Sequence, residues 1–123
     1  MRECNGGCHC GRVRYEVKLP DAIDVHRCNC SICQMSGFLH VIVSADDFRL
    51  LSGEESLSEY RFHTRQARHL FCKYCGVKSF YVPRSHPDGF SVNLNCLELA
   101  DDIDVSIEDF NGQNWLASRA DLT

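Results

Sequence analysis

Seven of the nine cysteines fall into three short clusters whose spacing suits a soft metal ion. Cys8 and Cys10 frame a histidine, "CNCSIC" (28–33) holds three thiols, and "CKYCG" (72–76) places two thiols before a glycine. Cysteines two apart in an extended segment cannot form a disulfide without severe strain. The clusters therefore predict metal binding, with zinc as the expected ion, and not disulfides.

Counting the ligands predicts two sites of different kinds. Two clusters supply two thiolates each and together make a closed tetrahedral site: Cys8, Cys10, Cys72 and Cys75. The third cluster supplies three thiolates and leaves a fourth position open: Cys28, Cys30 and Cys33. Three protein ligands with one exchangeable ligand is the pattern of catalytic zinc, so we expect a substrate to enter there.

Other side chains could complete the second site and make it structural. Cys96 is expected as a buried thiol on the apolar face of a strand, and Cys4 is expected in a flexible terminus. His26 stands just before the second cluster, and His40 is expected on a strand face near Cys33. We take His40 as a candidate acid–base group. The "CKYC" pair taken alone could also be a redox dithiol.

The remaining histidines and the nearby arginines have simpler readings. His9 is expected to point away from the metal, and three others are expected on the surface: His63, His69 and His86. Trp115 and Leu116 are expected to pack into the core near the end of the sequence. If the molecule that enters the open site carries negative charge, it would need a cation nearby. Three arginines stand near the clusters in the sequence, although each is more simply a solvated charge: Arg12, Arg14 and Arg27.

Short strands must position these thiols. Alternating apolar and polar residues predict strands in "RVRYEV" (12–17), "LHVIVS" (39–44), "GFSVNLNC" (89–96) and "DIDVSIE" (102–108), with more at 58–63 and 79–83. "SICQMSG" (31–37) predicts one helical turn closed by Gly37, and "SADDF" (44–48) another capped by Ser44. No window carries a long period of 3.6 residues, so the fold is predicted to be mainly β, with small antiparallel sheets and little helix.

Length and composition predict one zinc-binding domain that covers residues 1–123. Of the 123 residues, 44% are hydrophobic, and the formal net charge is -4. This acidic balance, without a basic stripe, disfavours nucleic-acid binding. The start lacks the apolar core of a signal peptide and no apolar run is long enough to span a bilayer, so we expect a cytoplasmic protein without membrane contact.

Four segments in order resemble the glutathione-dependent formaldehyde-activating enzyme family, which also includes centromere protein V. They are "GGCHCGRVRYEV", "HRCNCSICQMSG", "FRLLSGEESLSEYRF" and "FCKYCGVKSFY". The resemblance implies stacked, curved antiparallel sheets of the β-tent type, shared with a Rab accessory factor and stabilised by zinc. It also implies two zinc ions per chain, one structural at Cys8, Cys10, Cys72 and Cys75, and one looser at Cys28, Cys30 and Cys33.

The resemblance implies the condensation of formaldehyde with glutathione to S-hydroxymethylglutathione, formally the reverse of a carbon–sulfur lyase reaction. A zinc ion on three thiolates is a soft centre that suits a substrate sulfur better than it suits hydrolysis. We therefore expect a zinc-dependent carbon–sulfur lyase-type enzyme that acts on a small thiol such as glutathione and a small aldehyde. Catalysis would run at Cys28, Cys30 and Cys33 through bound zinc, with His40 as the candidate proton donor.

Two functions of other classes stay open. A non-catalytic zinc module that binds a protein partner would hold one tight ion or two equally tight ions. A redox sensor would oxidise Cys30 and Cys33 and release its metal reversibly at low peroxide. The expected enzyme would instead hold two ions, one of which is readily lost to a mild chelator.

Overall fold

The computed structural model describes residues 1–62 and 65–110. Within these residues the chain forms short strands and one short helix. The elements are β1 (Arg2–Gly7), β2 (Arg14–Leu19), β3 (Ala22–Cys28), α1 (Ser31–Ser36), β4 (Leu39–Ser44), β5 (Phe48–Ser52), β6 (Leu57–Tyr60), β7 (His69–Cys72), β8 (Phe80–Tyr81), β9 (Gly89–Asn93), β10 (Leu97–Glu98) and β11 (Asp104–Phe110). No helix in the described ranges is long and apolar enough to cross a membrane.

The strands make three sheets. One has the order β10-β1-β2-β5, the second β11-β3-β4-β9-β8, and β6 pairs with β7 alone. The prediction of a mainly β fold of antiparallel sheets with little helix is confirmed. One pair differs, because β11 runs parallel to β3 from Asp104 opposite Ala22 to Phe110 opposite Cys28. The alternation of apolar and polar residues indicates which face of a strand is buried, but it does not indicate the direction of the strand.

The centre of the core is formed by β2 and by aromatic rings from neighbouring strands. Tyr15 and Val17 are fully buried, because alternate side chains of a strand share one face. The Tyr15 hydroxyl donates to the Ser79 carbonyl at 2.9 Å and so joins the first sheet to the segment before β8. Phe48 stacks on Phe90 with ring centroids 4.2 Å apart, which joins β5 to β9.

Two cysteines outside the clusters lie elsewhere than predicted. Cys4 is buried in β1, which pairs along its length with β2, so the expected flexible terminus is a strand. Cys96 is half-buried in a turn of 3-10 helix and not on a strand face. The strand stops before it because the Asn93 side chain accepts the backbone N–H of Asn95.

The predicted helical turn at 31–37 is confirmed as α1, and Gly37 ends it with a left-handed φ of 67°. Ser44 precedes a 3-10 turn, but its hydroxyl donates to the Asp47 carboxylate at 3.2 Å and does not cap the turn. The strand predicted at 102–108 forms as β11 at the edge of its sheet, and its apolar residues Val105 and Ile107 are exposed.

Candidate metal centres

Two tight turns bring four thiols together: Cys8, Cys10, Cys72 and Cys75. Their sulfur atoms all lie within 4.8 Å of one another. The Cys10 sulfur is 3.6 Å from the sulfurs of both Cys8 and Cys72. Zinc–sulfur bonds of about 2.3 Å in a tetrahedron separate the sulfurs by about 3.8 Å, so this donor set fits a zinc ion.

A left-handed glycine follows the second cysteine of each pair in this four-cysteine cluster. Gly11 has a φ of 84° and Gly76 a φ of 77°, which only glycine adopts without strain. In the first turn Val13 N–H donates to the Cys8 sulfur at 3.4 Å. The second turn is closed by Gly76 N–H, which donates to the Cys72 carbonyl at 2.8 Å. Hydrogen bonds to sulfur favour the thiolate that a metal ion needs.

Arg12 belongs to this same cluster. Hydrogen bonds from its backbone and then its side chain lower the pKa of the Cys10 thiol to about 6. Its guanidinium lies 4.3 Å from the centre of the Tyr74 ring, which holds the charge beside the thiols. Arg14 is paired with Glu98 at 3.3 Å. Neither arginine lies at the second cluster.

The second cluster is built where β3 meets α1. Cys28 ends β3, Cys30 precedes the helix and Cys33 lies inside it. The Cys30 N–H donates to the Cys28 sulfur at 3.4 Å. Hydrogen bonds with Cys28 and Cys33 lower the pKa of the Cys30 thiol, and hydrogen bonds with Cys28 and Cys30 raise the pKa of Cys33. The three thiols thus contact one another, and a soft cation can take the place of their protons.

His40 stands directly beside the second cluster. Its Nε2 atom lies 3.2 Å from the Cys33 sulfur, and the donor atoms of Cys28, Cys33 and His40 lie within 4.8 Å of one another. The predicted ligand Cys30 does not belong to this converging group, in which His40 stands instead. Its Nδ1 atom lies 3.0 Å from the Ser91 hydroxyl and 3.2 Å from the Tyr81 hydroxyl. Burial, and then the charge of Lys78, lower its pKa to about 3, so the imidazole is neutral.

Lys78 and His69 form a second layer behind His40. The Lys78 ammonium is 2.7 Å from His69 Nδ1 and 4.0 Å from the centre of the Tyr81 ring. Burial lowers the pKa of Lys78 to about 8, and the charges of the three cysteines in the second cluster act in the opposite direction. The prediction that His69 lies on the surface is wrong: it is 5% exposed, because it stacks on Tyr81 with centroids 5.0 Å apart.

A cleft of about 740 Å³ runs along the second cluster. Its walls are formed by Arg27, Cys28, Asn29, Cys33, Gln34, Gly37, Phe38, Leu39, Asp109 and Phe110. Arg27 and Asp109 pair there at 2.8 Å, so the cleft offers one charge of each sign. A small molecule in this cleft could therefore reach two of the cluster's thiols.

The model of the glutathione-dependent formaldehyde-activating enzyme family matches residues 3–113. The chain belongs to this family. A curated Halomonas elongata protein that carries the family name is 35% identical over 78 residues, which are 57% of this chain and 50% of that protein. The chain thus spans about half the length of that relative. A crystal structure of a Rhodobacter sphaeroides protein aligns with a TM-score of 0.71 and 35% identity, over 85% of this chain and 99% of that one.

In this family member, the other residues that the sequence offered as possible ligands do not join the second cluster. Among the described residues, Cys4, Cys96 and His26 belong to neither group of converging donors. His9 is exposed, and His86 is half-buried against the Ser85 hydroxyl at 2.9 Å. Three residues considered above lie outside the described ranges: His63, Trp115 and Leu116.

The sequence reasoning missed the residues around His40 in this family member. Tyr81 and Ser91 position its imidazole, and Lys78 places a cation near the cluster. One signal was available, since Lys78 stands immediately before the apolar "SFYV". A lysine that leads into a buried strand has few ways to keep its charge in water.

Proposed function

We propose that this member of the formaldehyde-activating enzyme family is a single zinc-dependent domain with carbon–sulfur lyase-type activity. It would join the sulfur of a small thiol such as glutathione to a small aldehyde such as formaldehyde, or cleave that adduct. The observation that carries the proposal is that Cys28 and Cys33 line a cleft large enough for such a thiol. The family's name supplies the two substrates.

Different residues would hold the two metal ions. The structural ion would lie among Cys8, Cys10, Cys72 and Cys75, whose sulfurs converge. The reactive ion would lie at Cys28, Cys30 and Cys33, where the donors of Cys28 and Cys33 converge with His40 and the Cys30 thiol contacts the other two thiols. Zinc at the second cluster would favour the thiolate form of the substrate's sulfur.

The cleft's charges suit a zwitterionic thiol. Glutathione carries two carboxylates and one amino group, so both members of the Arg27–Asp109 pair can find a partner on it. Phe38 and Leu39 give the same cleft an apolar wall near the thiols. This arrangement would hold a thiol and an aldehyde together, and proximity of that kind contributes several kcal/mol in favourable cases, about 7–11 at most.

Two side chains can neutralise the alkoxide that forms when sulfur adds to a carbonyl. His40, expected from the sequence, is neutral and donates from Nε2 only when Nδ1 accepts from one of the two hydroxyls. Lys78 carries a charge, and its pKa of about 8 suits proton transfer near neutral pH. Lys78 lies behind His40 and does not line the cleft, so its charge would act from a distance and His40 keeps the role of candidate proton donor.

The test is the rate at which the adduct of glutathione and formaldehyde forms and breaks, followed by exchange NMR with the zinc-loaded chain. The proposal predicts acceleration over the uncatalysed exchange, and Cys30→Ser should return the rate to the uncatalysed value. An exchange rate that the wild-type protein leaves unchanged would overturn the proposed function.

A further inference from the structure

The second cluster offers a nitrogen donor beyond its three thiols. We propose that His40 joins Cys28 and Cys33 as a ligand of the ion that the second cluster holds in the resting protein, and that an incoming thiol displaces it. The incoming thiol is taken from the proposed function; the ligand assignment itself stands on geometry alone. The site would then be closed at rest and open only to a competing sulfur.

The distances suit coordination. His40 Nε2 lies 3.2 Å from the Cys33 sulfur, and the donor atoms of Cys28, Cys33 and His40 lie within 4.8 Å of one another, without Cys30. Zinc bonds of about 2.3 Å to sulfur and about 2.0 Å to nitrogen separate the two donor atoms by about 3.5 Å in a tetrahedron. A movement of a few tenths of an ångström therefore converts the observed contact into a ligand pair.

The orientation of the ring suits coordination as well. A histidine that binds metal through one nitrogen nearly always donates its other N–H to a fixed acceptor. Here Nδ1 faces the hydroxyls of Ser91, which is fully buried, and Tyr81, which is 7% exposed. Water does not compete at these positions, and either hydroxyl can accept from Nδ1–H. The tautomer that donates from Nδ1 would leave the Nε2 lone pair directed at the cluster.

The same surroundings explain why this ligand, and not a cysteine, would be displaced. A thiolate binds a soft centre better than a neutral imidazole does. On exchange, the thiol would lose its proton to solvent and its sulfur would take the position that the His40 nitrogen gives up. The released His40 ring stays where Ser91 and Tyr81 hold it, and it returns when the thiol leaves.

The experiment uses the full chain loaded with isotopically enriched cadmium, together with isotope-labelled histidine, and observes both nuclei by NMR. The wild-type protein should give two cadmium signals, one of which is coupled to an imidazole nitrogen. His40→Gln should remove that coupling, while His69→Gln, a change at a buried histidine that faces Lys78, should keep it. The signal of the four-cysteine cluster serves as an internal control for folding.

Saturating glutathione should then abolish the nitrogen coupling while cadmium stays bound at the second cluster. A wild-type spectrum without such coupling, or with a single bound ion, would overturn the ligand assignment. Coupling that persists with glutathione bound would overturn displacement. Failure of the proposed function would look different: the coupling would be present, and the exchange of glutathione with formaldehyde would not be accelerated.

Discussion

The ammonium nitrogen of Lys78 lies 2.7 Å from Nδ1 of His69, so the buried imidazole accepts a hydrogen bond from a half-buried cation. Lys78 and His69, whose pKa values are both lowered, thus contact each other just behind the second cluster. The imidazole must stay neutral to accept this bond. Burial, and then the charge of Lys78, accordingly lower the pKa of His69 to about 4.

This pair predicts a loss of stability in mild acid. The unfolded chain takes up a proton at His69 below its ordinary pKa of about 6.5, whereas the folded chain does so only near 4. Stability present above about pH 6.5 therefore falls progressively to about pH 4, by about 3 kcal/mol in total. Urea unfolding of the zinc-loaded protein should show a flatter pH dependence for His69→Gln than for the wild type. His86→Gln should keep the wild-type slope, and equal slopes for all three proteins would contradict the account.

Removing the charge of Lys78 should weaken metal retention at the second cluster. Three thiolates leave this site negative, and the Lys78 ammonium is the half-buried cation that acts on all three of its cysteines. We expect Lys78→Met to lose one ion to a chelator at lower concentration than the wild type does. The matched control is Lys73→Met, which removes an exposed ammonium lying 5.6 Å from the Tyr74 ring. Identical chelator curves for the two variants would refute the role of Lys78.

The two clusters should fail differently when one thiol is removed. Cys72 is fully buried in the core, and a structural zinc site contributes on the order of 10–16 kcal/mol, as much as a small domain's whole stability. Cys72→Ser should therefore unfold the chain, whereas Cys30→Ser should leave the melting temperature within a few degrees of the wild type. Circular dichroism on heating separates the two outcomes. If both variants melt alike, the division into structural and reactive sites is wrong.

Replacing Gly53, which lies close to Arg12 near the four-cysteine cluster, should cost more stability than replacing Gly37 at the end of α1. Gly53 has a φ of 92°, and a Cβ there would lie 2.3 Å from the Arg12 carbonyl oxygen. Gly37 has a φ of 67°, and a Cβ there would meet no atom within 4 Å. Gly37→Ala should cost about 1–2 kcal/mol of unfolding free energy, and Gly53→Ala clearly more. Chemical denaturation measures both, and equal losses would contradict the tight approach at Gly53.

The four-cysteine group could be predicted from the sequence because each of its pairs lies in one turn, where spacing along the chain sets spacing in space. At the second cluster Cys28 and Cys33 converge with His40, and Cys30 does not belong to that group. The proximity of His40 to Cys33 follows in the same way, since α1 and the start of β4 adjoin. Ser91 and Tyr81 reach His40 only because β9 pairs with both β4 and β8. That pairing depends on long-range registers that alternation does not specify.

Strand direction was the other feature beyond the reach of the sequence. The parallel course of β11 along β3 carries Asp109 to Arg27 and Phe110 to the cleft. A period of two residues is identical in parallel and antiparallel strands. The candidate ligands could thus be named from local spacing, whereas the cleft that gives access to them could not.

The central claim is that a substrate sulfur reaches the ion at Cys28, Cys30 and Cys33. The most direct test is the visible absorption of the cobalt-substituted protein during titration with glutathione. The account predicts a saturable change in the ligand-field bands with one thiol per chain, which is lost in Cys30→Ser. A spectrum that glutathione leaves unchanged, in a protein that binds two cobalt ions, would contradict it.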